Sequence, residues 1–173
     1  MFKKIQSLES SKYYWLFLIV LGISLEVTAL IYQYLLDYYP CVLCIHIRIV
    51  VMAVILLSLL ALKFQHSVKA RLIFHLLMSI IMEVLFERSY NLLGVERGFV
   101  SGDCSMNSGL PGWFAIDQWF PWMFKIWEPC GYTPEILFGI TMAESLIVLS
   151  AVLLLLSILL FAVSLKKLKN NHG

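Results

Sequence analysis

The chain has 173 residues, 61% of them hydrophobic and 14% charged, and carries a formal net charge of +2 at pH 7. That is far too apolar for a soluble domain of this size, and no nucleic-acid partner is expected of it. The composition places it in a bilayer, as one all-α domain over residues 1–173 built from a four-transmembrane-helix bundle.

In chain order, the first apolar stretch runs over about 13–36 and is broken only by Glu26. A cleaved signal peptide is the alternative for this start, since Lys3 and Lys4 precede the run. The run is longer than the ~7–15 residues of a signal core and has no small-x-small cleavage site. The second stretch, about 45–62, has its charged residue, Arg48, near its start. The third, about 72–90, is the weakest, because Glu83, Glu87 and Arg88 crowd its end. These three read as an interfacial charge cluster with i, i+4 support, and His75 as a packed polar residue rather than a ligand. The fourth, about 145–165, has no charge, and its 21 residues reach roughly 31 Å, matching a hydrocarbon core of about 30 Å.

Lysine and arginine near span ends are retained on the cytoplasmic side. Lys3, Lys4 and Lys12 precede the first span, Lys63, Lys69 and Arg71 join the second to the third, and Lys166, Lys167 and Lys169 follow the last. Both termini are therefore expected in the cytoplasm. Residues 37–44 and 91–144 form the outer loops and hold all four cysteines.

The outer segment from Gly94 to Glu135 holds four of the five prolines and four of the five tryptophans. Trp113, Phe114, Ile116, Trp119, Phe120, Trp122, Met123, Phe124, Ile126 and Trp127 are too many apolar groups to leave in water. A short amphipathic helix lying along the membrane surface between Pro111 and Pro121 is expected, with an aromatic cover packed on the bundle as the alternative. Either arrangement brings the loop cysteines close to Cys41.

Two cysteine pairs stand in different settings: Cys41 and Cys44 in Pro40-Cys41-Val42-Leu43-Cys44 at the mouth of the second span, and Cys104 with Cys130 in the long loop. Thiol pairs exchange electrons through mixed disulfides, so the arrangement reads as an electron relay. Pro40 disfavours helix at Tyr39 and favours a helix start, which puts Cys41 to Cys44 in the first turn. There the free N–H groups and partial positive charge, with Arg48 four residues beyond Cys44, would stabilise a thiolate and lower its pKa. A bare C-x-x-C also occurs in zinc sites, but the second C-x-x-C or His pair that zinc needs is missing, and no metal site is expected. Purely structural disulfides in an oxidising compartment are the stronger alternative.

Arg48 just inside the bilayer edge is costly unless it snorkels, pairs or functions. Its functional reading is a hydrogen bond to a lipid-borne carbonyl. Glu26 lies deeper and reads as a buried structural carboxyl, with pairing, protonation or a proton route as the alternatives.

At Pro40-Cys41-Val42-Leu43-Cys44-Ile45-His46-Ile47-Arg48 the chain resembles the DsbB family, membrane oxidases of the bacterial disulfide-forming pathway. The similarity extends through Leu25-Glu26-Val27-Thr28-Ala29-Leu30, Leu110-Pro111-Gly112-Trp113, Asp117-Gln118-Trp119-Phe120-Pro121 and Phe138-Gly139-Ile140-Thr141-Met142. Glu135, Ala143 and His46-Ile47 depart from the family's usual residues. The resemblance implies a protein dithiol:quinone oxidoreductase of the bacterial inner membrane that reoxidises a periplasmic DsbA-type thiol oxidase and reduces ubiquinone or menaquinone. It also implies roles: Cys104 forms the mixed disulfide with DsbA, Cys130 is its loop partner, Cys41 takes electrons from the loop pair, and Cys44 faces the quinone beside Arg48. DsbA lies near −120 mV and a thioredoxin-like pair near −270 mV, so the pair alone would work about 7 kcal/mol uphill and needs a stronger terminal oxidant. A vitamin K epoxide reductase-like enzyme is the neighbouring alternative, but its C-x-x-C belongs near the last helix of the bundle. A tetraspan scaffold with structural disulfides would need no quinone.

Overall fold

The computed structural model of the chain describes residues 9, 11–101, 109–137 and 139–170. Four long helices dominate it: α1 (Lys12–Leu35), α2 (Val42–Phe64), α3 (Val68–Glu96) and, after the long loop, α6 (Met142–Asn170). Ser11 caps α1 by accepting from the Tyr13 N–H at 3.2 Å, and Ser67 caps α3 by accepting from Ala70 N–H at 3.1 Å. Such caps satisfy donors that have no partner inside the helix. Helix α6 opens with a reciprocal box, in which the Glu144 N–H reaches Thr141 Oγ1 at 3.3 Å and the Thr141 N–H reaches Glu144 Oε2 at 3.1 Å. Thr141-Met142-Ala143-Glu144 is the S/T-x-x-E signature of that motif.

Helices α1, α2 and α6 are each long and apolar enough to cross a membrane. Helix α3 forms over 29 residues, longer than the expected 72–90, but Lys69, Arg71, Glu83, Glu87, Arg88 and Glu96 keep it out of that class. Its charges pair locally: Glu87 meets Arg88 at 3.1 Å and accepts from Asn91 Nδ2 at 2.6 Å. Gly98, at φ 75°, lets α3 end with Phe99 N–H bonded to Gly94 O at 3.0 Å and Gly98 N–H to Val95 O at 3.2 Å. That is the geometry of a glycine-terminated helix.

Helix α2 packs between α1 and α3, and α3 runs along α6. The helices joined by the two short connections, α1 with α2 and α2 with α3, are therefore neighbours. Small residues set the close approaches. A Cβ on Gly22 would stand 2.6 Å from Ile55 Cγ1, so α1 meets α2 there only because that side chain is missing. Ser150, Ser157 and Ser164 repeat every seven residues on the buried face of α6. Ser150 and Ser157 return their hydroxyls to the carbonyls three residues back, at 3.0 and 2.8 Å, and so meet α3 without an unpaired group. One core runs through the bundle, including Trp15, Leu18, Val51, Met78, Met82, Leu85, Leu153 and Leu160. His75 is buried as expected, with Nε2 3.2 Å from the Glu9 carbonyl and its ring stacked on Trp15.

The loop differs from expectation in two respects. The single surface helix expected between Pro111 and Pro121 is replaced by a 3-10 turn (Gly112–Phe114) and two one-turn helices, α4 (Ile116–Trp119) and α5 (Pro121–Phe124). Phe120 sits at φ −129°, ψ 64°, outside the helical region, as the residue before a proline tends to. An antiparallel pair, β1 (Glu135–Leu137) with β2 (Ile140–Thr141), interrupts the otherwise all-α fold just before α6.

Candidate thiol relay and apolar cavity

Cys41 is the N-cap of α2 rather than a residue of its first turn, and its Sγ accepts from the Cys44 N–H at 3.4 Å. The C-x-x-C spacing then sets the two sulfurs face to face, with Cys41 Sγ 2.8 Å from Cys44 Sγ. Cys130 also hydrogen-bonds to the Cys41 side chain. Three of the four cysteines are thus gathered at one helix end; Cys104 lies outside the described residues. Hydrogen bonding to Cys130 and Cys44, with burial, holds the Cys41 thiol well above the ordinary thiol range. That corrects, for Cys41, the thiolate expected of a residue inside the first turn: a cap side chain wedged among sulfurs does not feel the helix terminus alone.

The loop reaches Cys41 through a specific seam. Trp127 N–H bonds to Pro40 O at 3.2 Å, Tyr39 packs on Trp127 with ring centres 5.5 Å apart, and Tyr38 stacks on Tyr132 at 6.2 Å. Beneath it, Met123 and Phe124 are buried against Ile45, with Ile116 and Ile126 alongside. Trp113, Trp119, Phe120 and Trp122 point outward. The loop is therefore part cover and part exposed aromatic surface, combining the two arrangements that its composition allowed.

Arg48 does not snorkel. It is only 6% exposed, and its guanidinium donates from Nη1 to Gln33 Oε1 and Met123 O, both at 2.7 Å, and from Nη2 to Ala29 O at 2.9 Å. One side chain of α2 thus ties α1 to the loop. Gln33 Nε2 adds a bond to Trp122 O at 3.3 Å, and Tyr34 donates its hydroxyl hydrogen to the same carbonyl.

Behind Cys44 opens a cavity of about 180 Å³. Cys44 and Arg48 line it from α2, Glu26, Ala29 and Tyr32 from α1, and Met142, Ser145, Leu146 and Leu149 from α6. Tyr38, Tyr39 and Tyr132 stand on the loop side. Apolar walls with a few convergent polar groups are the usual form of a small-molecule site. Glu26 is buried as expected, at 6% exposed, and among the described residues neither of its carboxyl oxygens has a hydrogen-bond partner. Gln33 was not among the expected site residues. Its signal was present, since Glu26, Ala29 and Gln33 fall at i, i+3 and i+7 on one face of an otherwise apolar helix.

The family model described as Disulfide bond formation protein DsbB matches residues 11–160. The chain belongs to the DsbB family. Relatives named Disulfide bond formation protein B include one from Psychromonas ingrahamii, 27% identical over 92% of this chain and 86% of its own length. Another, from Shewanella frigidimarina, is 26% identical over 96% of this chain and 99% of the relative. A third, from Haemophilus influenzae, is 28% identical over 97% and 96% respectively. The sequence resemblance therefore holds across nearly the whole length, and this DsbB-family chain is a membrane protein of disulfide bond formation.

Proposed function

We propose that the protein is a protein dithiol:quinone oxidoreductase. It takes two electrons from a DsbA-type thiol oxidase and delivers them to ubiquinone or menaquinone. The observation that carries this reading is the continuous path from Cys130, bonded to Cys41, through the 2.8 Å approach of Cys41 to Cys44, to a cavity that Cys44 lines.

In this scheme the thiol of reduced DsbA attacks the Cys104–Cys130 disulfide at Cys104. Release of DsbA as its own disulfide leaves Cys104 and Cys130 as thiols. Cys130 then attacks the Cys41–Cys44 disulfide at Cys41, and Cys104 resolves that bridge to restore the loop disulfide. Each exchange forms one S–S bond as another breaks, so the electron pair ends on Cys41 and Cys44. Cys44, in the wall of the cavity, passes the pair to the bound acceptor, which a quinone supplies as a two-electron, two-proton sink. Arg48 has three of its five N–H donors committed to Gln33, Met123 and Ala29, and the remainder are available to a carbonyl oxygen in the cavity. A fixed cation there would stabilise negative charge developing on that oxygen.

The nine lysines and arginines near the span ends favour both termini in the cytoplasm, with α3 as the fourth span and the thiols on the periplasmic side of the inner membrane. The test follows the oxidised-quinone absorbance when purified protein in detergent meets reduced DsbA, for the wild type, Cys44→Ser and Cys104→Ser. Catalytic bleaching that both substitutions abolish supports the relay. An unchanged spectrum from folded protein supplied with both quinones would leave the thiols with a structural role.

A further inference from the structure

Among the described residues Glu26 is the only acidic one in the cavity wall. It is buried, both of its oxygens lack partners, and Arg48 is the cation that faces it electrostatically. Buried polar groups are nearly always satisfied, so one left open towards a cavity is completed by whatever enters it. Several other polar side chains around the relay are already engaged: Gln33 and Tyr34 hold the loop, Thr28 Oγ1 returns to Ser24 O at 2.8 Å, and Thr133 Oγ1 bonds to Glu96. Among the described residues Glu26 is the carboxyl that combines an exchangeable proton, a place in the wall and buried oxygens with no hydrogen-bond partner.

Resting on the proposed quinone reduction, we infer that Glu26 is the proton donor to the quinone oxygen that lies beside Arg48. The dithiol Cys41/Cys44 loses two electrons and two protons as the S–S bond forms, and the quinone gains both pairs to become the quinol. The Glu26 carboxyl gives its proton to one carbonyl oxygen as the electron pair arrives from Cys44. The carboxylate then recovers a proton released by the thiols, so Glu26 ends the cycle unchanged. Arg48 cannot take this part, because a guanidinium keeps its protons in proteins.

Two readouts test the assignment in the full-length protein in detergent. In infrared difference spectra, adding ubiquinone to the oxidised protein should shift a protonated-carboxyl C=O band, and Glu26→Gln should remove that band. In single-turnover mixing of pre-reduced protein with ubiquinone, Glu26→Gln should slow quinone reduction at least tenfold at unchanged quinone affinity. Glu26→Asp should recover part of that rate, and acetate should accelerate Glu26→Ala but not the wild type. Thermal melting establishes that the variants are folded, with Glu26→Asp as the second arm if Glu26→Gln is not. Wild-type reduction with Glu26→Gln equally fast, or weaker quinone affinity with an unchanged rate, overturns the proton-donor role and leaves the relay intact. No quinone reduction by the wild type overturns both.

Discussion

Replacing Arg48 with methionine keeps much of the apolar stem and removes the donor that three carbonyl oxygens share. Each buried acceptor left open costs about 1–3 kcal/mol, so three would approach about 3–9 kcal/mol. Two of them are partly spared. Ala29 O retains its intrahelical bond, and the Gln33 amide, held through Nε2 to Trp122 O at 3.3 Å, can re-orient as a side chain to relieve Oε1 in part, which a backbone carbonyl cannot do. Met123 O carries the full loss, together with the tie between α2 and the loop. A net cost of about 2–4 kcal/mol for the docked loop follows, which is roughly a 30- to 1,000-fold rise in its undocked population. Amide hydrogen exchange reads this directly, because the Trp127 N–H is held to Pro40 O across the seam. When reclosing outruns exchange, its protection should fall by the same factor, with little change in the middle of α2. Arg48→Lys should fall between, since one ammonium cannot reach three acceptors laid out for a planar fork. Trp127 protection within threefold of wild type in Arg48→Met would refute the view that this arginine docks the loop.

The thiol geometry predicts that Cys44→Ser protein, mildly oxidised, joins Cys41 to Cys130, detected as a cross-linked peptide pair by mass spectrometry without reduction; no such pair would mean that the two sulfurs do not meet in solution. Because the Cys41 thiol is raised by Cys130 first and Cys44 next, its alkylation in the reduced wild type should still be climbing above about pH 9, where an ordinary thiol near 8.5 has levelled off. Cys130→Ala should move that profile to lower pH, and an unmoved profile would count against the hydrogen bond. At the α1–α2 contact, Gly22→Leu should lower stability in detergent by about 2 kcal/mol or more through overpacking against Ile55. Gly22→Ala should be nearer neutral, because a helix-propensity gain of about 1 kcal/mol offsets part of the clash; equal melting temperatures for wild type and Gly22→Leu would show that the helices do not approach there.

What could be read in the sequence is what local chemistry and bilayer thickness impose. The uncharged run 145–165, the long apolar runs around Glu26 and after Arg48, and Pro40 before the C-x-x-C dictated where α1, α2 and α6 lie and that Cys41 opens α2. The weak third run formed a helix too, although its charges leave it outside the apolar class. Thr141-x-x-Glu144 and Gln33 also carry local signals, a helix start and an interruption in an apolar face, that the expected span bounds did not use. Tertiary structure decided the rest, because the deciding contacts join residues far apart in the chain. Arg48 on α2 found acceptors in Ala29, Gln33 and Met123 and so became a clamp instead of a snorkelling side chain. Glu26 acquired its open carboxyl only because α6 and the loop close a cavity over it while offering it no donor. Cys41 caps the helix terminus, yet its thiol is governed first by Cys130, which arrives from 89 residues away. Helix periodicity specifies which face a residue occupies, whereas a proton's or an electron's route depends on what packing brings to that face.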